Sequence, residues 1–501
     1  MSQYHKIFLA SAGTGKTFRL SGRYLDLLLA NREASSILAT TFTRKAAEEI
    51  LNRVLKRLVE TIDKPEKRKE LEGLRDFGEG FEASQALELL AKLARGLNRF
   101  DVCTLDSFFN RIAQLYPLEL GMPPNWSVAL GTEEAELKTE ALARLLDDVD
   151  GRKQEDEFAE LLREIASSNG ASRGIHYALT ELTTRGREVL LDSAPGAWEI
   201  VQVTEPADPE RVEGLEKALE GLDIPKTKGK EPKEKRNWSK AHAAILGAVH
   251  RKDWKSVVKV GLFKKCIDGE EKFDRHVIDE DWKRVLKDLM HHVAHQLTLG
   301  LTIRNDRAQG LLRRYEKFLE EVKRERGLYE FSDIPRILAP LGDPGEGPLV
   351  SGGFDLAYRT DASLGHLLLD EFQDTSPSQW SVLDGIAREV SSYQTGEKSF
   401  FCVGDTKQSI YGWRSAEPRL LGSLVERLNV PSEPLEDNFR SSSVILETVD
   451  KVFNTLDSLS IFQATGKESY LAAATSFREN FKGHTAAKNL PGFAELRQAG
   501  P

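Results

Sequence analysis

The chain carries 501 residues, of which 40% are apolar and 30% charged, with a formal net charge of −9. Such a length predicts roughly two to four domains with cores of ordinary size, and the acidic balance excludes a wholly basic DNA-coating protein while leaving room for a local nucleic-acid groove. No apolar run approaches the ~18 residues of a membrane helix, and the short N-terminal apolar run feeds straight into a glycine loop, which argues against a cleaved signal peptide. Cys103, Cys266 and Cys402 stand too far apart for a zinc knuckle and give no basis for an iron–sulfur cluster, so a cytoplasmic, reducing location without membrane is expected.

Ile7-Phe8-Leu9 reads as a buried strand and Phe18 to Leu25 as a helix. Between them lies Ala10-Ser11-Ala12-Gly13-Thr14-Gly15-Lys16-Thr17, in the strand–loop–helix layout of a phosphate-binding P-loop, with Ala10 where the usual pattern starts with Gly. Backbone N–H groups of such a loop surround a phosphate, glycines let the backbone close in, and the helix N-terminus adds partial positive charge. Lys16 is expected to reach the β- and γ-phosphates and the Thr17 hydroxyl to ligate Mg²⁺. Ser35 to Thr41 reads as a second strand, followed by an Ala/Glu-rich helix through Leu58. Phe42 and Thr43 fall at that strand's carboxyl end, where open α/β sheets bind ligands. Phe42 is either a base-stacking face or helix-packing core.

Residues 64–100 read as helices with a charged, loop-rich interior. Phe100 to Thr104 is another strand edge, followed by a helix through Tyr116. From about Thr132 to about Arg326 the periodicity is mostly helical, as in Glu133 to Leu146, Phe158 to Ile165 and Trp282 to Leu297, which predicts a helical domain inserted into one α/β sheet. Within it, Pro225 to Lys265 holds thirteen Lys or Arg against three acids, with Trp238 and Trp254 interleaved. Lys226 to Lys235 reads as a solvated loop, and Arg251 to Lys265 as a candidate DNA contact.

The sheet is expected to resume around Tyr329 to Ile334, before a Gly/Pro-rich loop, Gly342 to Gly353. Leu367-Leu368-Leu369 then leads into Asp370-Glu371. A parallel strand beside the P-loop strand would set these carboxylates by the phosphates, Asp370 holding Mg²⁺ through water and Glu371 deprotonating the attacking water. Phe400 to Val403 makes one more strand, ending near Gln408, whose amide is placed to sense the γ-phosphate. Tyr411 and Trp413 offer either aromatic faces to bases or core packing. Arg440, just before a helix from Val444 to Phe453, is placed to complete the γ-phosphate site as an arginine finger does.

These stretches together resemble a superfamily 1 DNA helicase of the UvrD/Rep type, most closely the RecB and AddA motor subunits of recombination helicase–nucleases. Residues 10–18 are similar to the RecB-like P-loop, including the leading Ala. Residues 41–49 resemble motif Ia, 104–108 the next DNA-contacting motif with Asp106 in place of His, 370–376 motif II, 403–414 motif III and 438–441 motif IV. The resemblance implies an α/β P-loop NTPase with a RecA-like parallel sheet and a large inserted helical domain. Its expected segments are 1–120 and 327–430 for the first lobe, 121–326 for the insert, and 431–501 for the incomplete beginning of a second lobe, since no motif V or VI stretch follows Arg440. It implies ATP and Mg²⁺ as cofactors, with ATP on residues 10–18 and Gln373 linking nucleotide state to the motor. It also implies a single-strand path along Phe42, Thr43, Ser107, Phe108, Tyr411, Trp413 and Arg414. Single-stranded DNA and DNA ends are the implied substrates, with 3′–5′ unwinding in recombination and double-strand break repair, and the implied partner is a second helicase–nuclease subunit. The alternative is a nucleotide- and DNA-binding module with little turnover of its own.

Overall fold

The computed structural model describes residues 3–78, 80–96, 100–148, 175–194, 196–206, 209–227, 233–339, 364–412, 415–463, 468–481, 483–495 and 497. Its strands in chain order are β1 (Lys6–Ala10), β2 (Ile37–Thr41), β3 (Asp101–Thr104), β4 (Ser127–Val128), β5 (Lys272–Phe273), β6 (His276–Val277), β7 (Leu328–Tyr329), β8 (His366–Leu369), β9 (Ser399–Gly404), β10 (Ser432–Leu435), β11 (Asp437–Asn438) and β12 (Thr485–Ala486). Contacts divide the chain into two compact units, residues 1–134 with 326–501, and residues 135–325.

The first unit is built on one six-stranded parallel sheet in the order β10-β1-β9-β8-β2-β3. Strands β2, β8 and β9 are buried along their whole length, the pattern of a parallel sheet covered on both faces. Successive side chains point to opposite faces. On β1, Ile7 enters a core with Phe109, Trp380 and Leu383, and Phe8 enters another with Leu20, Tyr24 and Val54. Helices α1 (Lys16–Leu29) and α2 (Arg44–Asp63) supply the second core, and helices Leu105–Leu115 and Pro377–Ser392 the first. Because the strands run parallel, their carboxyl ends line one edge, which gathers Ala10, Thr41, Thr104, Leu369 and Gly404.

Three expectations are corrected. Strand β8 is not the neighbour of β1, because β9 lies between them. The chain does not rejoin the main sheet near Tyr329: β7 pairs instead with β4 in a separate two-stranded ribbon, Ser127↔Leu328 and Val128↔Tyr329, which carries the first unit past residue 121 to Glu134. Residues 432–435 do not open a second lobe; they form β10, the edge strand beside β1, with Leu9 opposite Pro434. After β10, β11 pairs with β12 in a small sheet of its own.

The second unit is helical. Trp238 and Trp282 are fully buried at its centre, with ring centroids 5.3 Å apart and edge to face. Each indole N–H is satisfied, Trp238 by the Phe273 carbonyl at 3.2 Å and Trp282 by the Asp223 carbonyl at 2.9 Å. Strands β5 and β6 form a hairpin whose two turn residues, Asp274 and Arg275, both have positive φ, the geometry that matches strand twist. Trp238 is therefore core and not a nucleic-acid platform, while Trp254 packs edge-on against His292 at 4.8 Å. Arg251, Lys252, Lys255, Lys259 and Lys264 face outward over buried Val257, Leu262 and Phe263. The expected helix at Phe158 to Ile165, the loop at Gly342 to Gly353 and residues 228–232 of the basic stretch lie outside the described residues. No helix among the described residues is long and apolar enough to cross a membrane.

Candidate nucleotide and nucleic-acid site

The loop after β1 closes on itself: the Thr14 hydroxyl and N–H both donate to the Ser11 carbonyl, at 2.8 and 3.3 Å. Gly13 and Gly15 have φ of 83° and 90°, values that L side chains rarely adopt. Gly15 caps α1 with no side-chain hydrogen bond, so the first N–H groups of the helix remain for an anion. Ala10 ends β1 inside the core, and Ala12 is exposed at the loop's tip. The Phe18 ring lies under the Arg57 guanidinium at 4.0 Å, beside a groove lined by Arg53, Lys56 and Lys67.

Across the sheet edge, Lys16 Nζ donates to Glu371 Oε2 at 2.6 Å and to Gln408 Oε1 at 3.4 Å. Gln373, buried, donates to the same Glu371 oxygen at 2.8 Å and accepts the Asp405 N–H at 2.9 Å. Gln408 in turn donates to Asp405 Oδ2 at 2.7 Å. One polar chain thus joins the P-loop lysine to the ends of β8 and β9, and the strand intervening between β1 and β8 is what brings Gln408 into it. Sequence reasoning gave Asp405 no role, although its place three residues before Gln408 at a strand end was the available signal. Glu371 holds a left-handed φ of 50°, a conformation that a non-glycine residue adopts at some cost.

Charge at this edge is unbalanced. Burial, then the neighbouring Glu371 charge, pushes Asp370 up to about 7, with Lys16 opposing. The same two causes push Asp374 up to about 6. Asp370 Oδ1 and Asp374 Oδ1 are buried without hydrogen-bond partners. An orphaned carboxylate oxygen beside the charge of the P-loop Lys16 fits a hard divalent cation that takes oxygen ligands and keeps water and phosphate in its shell. Among the described residues no three His, Cys, Asp or Glu side chains are arranged to hold a metal by themselves.

The end of β11 and the residues after it lie directly on the P-loop. Asn438 Nδ2 donates to the Ala12 carbonyl at 2.7 Å, and the Phe439 N–H donates to the Gly13 carbonyl at 2.9 Å. Arg440 follows, its Cβ only 2.9 Å from where a Gly13 side chain would begin. The Arg440 backbone is therefore next to the loop.

Of the residues expected along a single-strand path, Phe42 and Tyr411 stack on each other, centroids 4.3 Å apart and 28° between planes. Thr43 caps α2 by accepting the Ala46 N–H. Thr104 caps the next helix by accepting the Ser107 N–H. Asp106 accepts from Gln379 at 3.0 Å, tying this stretch to the helix after Asp370-Glu371. Phe108 is corrected: it is 5% exposed, in the core beside Phe109, because it lies on the inward face of an amphipathic helix. Trp413 and Arg414 lie outside the described residues.

Residues 2–429 match the family described as UvrD/REP helicase N-terminal domain. The chain is also similar to bacterial proteins named as subunits of an ATP-dependent helicase/nuclease. It is 28% identical to that of Geobacillus thermodenitrificans over 93% of the chain and 39% of the relative. It is 22% identical to that of Lactobacillus johnsonii over 89% and 38%, and 25% identical to that of Streptococcus thermophilus over 89% and 37%. The chain thus spans about two fifths of the length of these relatives. With the P-loop, the paired carboxylates and the Gln408 contact all on one sheet edge, and with the family match running through nearly the whole chain, this protein belongs to the UvrD/REP helicase N-terminal domain family.

Proposed function

We propose that the chain forms the ATP-hydrolysing lobe of a DNA helicase that translocates on single-stranded DNA and unwinds duplex ends, 3′ to 5′, in recombination and double-strand break repair. The observation that carries this reading is the meeting of Lys16, Glu371 and Gln408 at one point. ATP binds over residues 10–18, where Lys16 exchanges its Glu371 partner for the β- and γ-phosphates. Glu371, released, orients the attacking water and accepts its proton. Gln408 and Arg440 hold the γ-phosphate, and Gln373 relays its presence to Asp405 and the β9 end. Thr17 and Asp370 would hold a Mg²⁺ ion, which would supply charge neutralisation on the transferred phosphoryl group. DNA passes along Phe42, Thr43, Ser107 and Tyr411, continuing to Trp413 and Arg414. The relatives are named as subunits, which supports a partner that is itself a helicase–nuclease component.

The alternative, a nucleotide and DNA switch with little turnover, is separated by one variant. Glu371→Gln is expected to lower DNA-stimulated ATP hydrolysis at least ~100-fold, the scale of lost general-base catalysis, with Mg-ATP binding retained. Binding without any turnover in the unsubstituted chain would favour the switch, and unchanged turnover in the variant would remove Glu371 from the mechanism.

A further inference from the structure

The contact of Asn438 with the P-loop has a consequence for how the loop is shaped. Asn438 is 3% exposed. Its carboxamide works in two directions: Nδ2 donates to the Ala12 carbonyl at 2.7 Å, while Oδ1 accepts the N–H groups of Arg440 at 3.0 Å and Ser441 at 2.9 Å. The Ala12 carbonyl and the Gly13 N–H belong to one peptide unit. In a trans peptide they point in opposite directions. Fixing the carbonyl on Asn438 therefore aims the Gly13 N–H away from Asn438. The Phe439 N–H holds the next carbonyl, that of Gly13, in the same manner at 2.9 Å. The fit is close: a Cβ on Gly13 would stand 2.8 Å from both polar atoms of the Asn438 amide. Glycine is thus required at 13 by the segment lying against the loop as well as by its φ of 83°.

We propose that Asn438 is a positioning residue that sets a phosphate-facing peptide of the P-loop and the backbone of Arg440 with a single side chain, so that occupancy of the loop and placement of Arg440 are coupled. This rests on the reading of residues 10–17 as a triphosphate site. A triphosphate is the ligand that engages both ends of the link: the loop peptides take the β-phosphate, and Arg440 takes the γ-phosphate. A diphosphate engages only the first. Asn438 therefore acts on the preference for ATP over ADP.

The test is calorimetric titration of the chain with Mg-ATP and Mg-ADP, using Asn438→Ala, Asn438→Asp, Arg440→Ala, the Asn438→Ala/Arg440→Ala double variant and Lys16→Ala. Asn438→Asp is nearly isosteric, keeps the acceptor for Arg440 and Ser441, and puts a carboxylate oxygen in place of the donor to Ala12, so it breaks the link without opening a cavity. The ATP-to-ADP affinity ratio is expected to fall roughly five- to tenfold in each single variant at 438 and 440, the scale of one charge-assisted or backbone hydrogen bond. It should fall no further in the double variant. An unchanged ratio at 438, additive losses in the double variant, or equal loss of ATP and ADP would overturn the inference. So would an unchanged ratio in Arg440→Ala while Lys16→Ala still loses nucleotide, which would leave the phosphate reading intact. Absence of Mg-ATP binding in the unsubstituted chain, or full binding by Lys16→Ala, would instead remove the phosphate reading on which it rests.

Discussion

The two units treat buried polar groups in opposite ways. In the helical unit the large polar side chains of the core are matched: both tryptophan N–H groups reach carbonyls, and His242 Nε2 lies 2.7 Å from the Leu219 carbonyl. At the carboxyl edge of the parallel sheet, Asp370 and Asp374 each leave a buried oxygen without a partner, and both are pushed upward by burial and by Glu371. The same unit also leaves Tyr24 Oη and Trp380 Nε1 unmatched, which are neutral at ordinary pH, and Asp384 Oδ1, whose carboxylate is paired through its other oxygen with Arg388 at 2.9 Å. An unsatisfied buried polar group costs about 1–3 kcal/mol, and more when charged. Such a cost persists where an incoming ligand supplies the missing partner, so the contrast separates a scaffold from a site.

The contrast is sharpest if the scaffold is broken alone. Trp238→Ala removes a fully buried indole that touches Trp282, Phe273 and His276. The expected loss is about 3–5 kcal/mol of stability in the helical unit, with Mg-ATP affinity unchanged. Urea unfolding followed by circular dichroism, beside nucleotide titration of the same samples, reads both. Nucleotide affinity falling in step with stability would mean that the helical unit shapes the phosphate site after all.

A smaller effect is expected at the Phe42–Tyr411 stack. If these rings receive bases, Tyr411→Ala weakens binding of an oligo-dT strand by ~1–3 kcal/mol, with little dependence on salt, because stacking releases no counterions. Fluorescence anisotropy at two salt concentrations measures it. Equal affinity for the variant would leave the stack as packing at the edge of the site.

The chemistry of the site was more legible than its topology. The P-loop and the Asp370-Glu371 pair are local signals, each readable from a strand, a turn and a few residue types. The order of strands is not local: nothing in His366–Leu369 or Ser399–Gly404 states which lies beside β1, so the intervening position of β9 emerged only with the structure. β10 was missed for a different reason. It is four residues long and holds Pro434, and Pro is tolerated there because an edge strand leaves one row of N–H groups unpaired. Trp238 stands amid thirteen basic residues, and its burial is dictated by Trp282, far along the chain. Composition cannot report such a contact. Asn438 was visible within a motif but had no role until its amide was seen on the Ala12 carbonyl.

The smallest expected effect concerns two histidines bonded to the start of β9, His5 just before β1 and His366 at the head of β8, which share the scaffold character of the helical unit although they belong to the sheet unit. His5 Nε2 lies 2.6 Å from the Tyr393 carbonyl and His5 Nδ1 accepts the Phe400 N–H at 3.1 Å, which specifies the neutral ring. Burial lowers its pKa. His366, 2.8 Å from the Ser399 hydroxyl, is lowered to about 3 by burial and then by Arg32 and Arg23. A base whose folded pKa is depressed takes up its proton in the unfolded chain first, so this stability is complete above pH ~6.5 and is lost as pH falls toward the folded value. Asp370 and Asp374 act with the opposite sign: their raised pKa values favour protonation in the fold, which adds stability as pH falls through about 7 and about 6. The total pH profile therefore mixes opposing contributions, and the informative quantity is a difference. The stability of the unsubstituted chain relative to His366→Gln is expected to drop by about 1 kcal/mol between pH ~7.5 and ~5.5. Urea unfolding at both pH values measures this gap. A constant gap would mean that His366 takes up its proton equally in the folded and the unfolded chain, and the matched, neutral character assigned to the β9 start would fail with it.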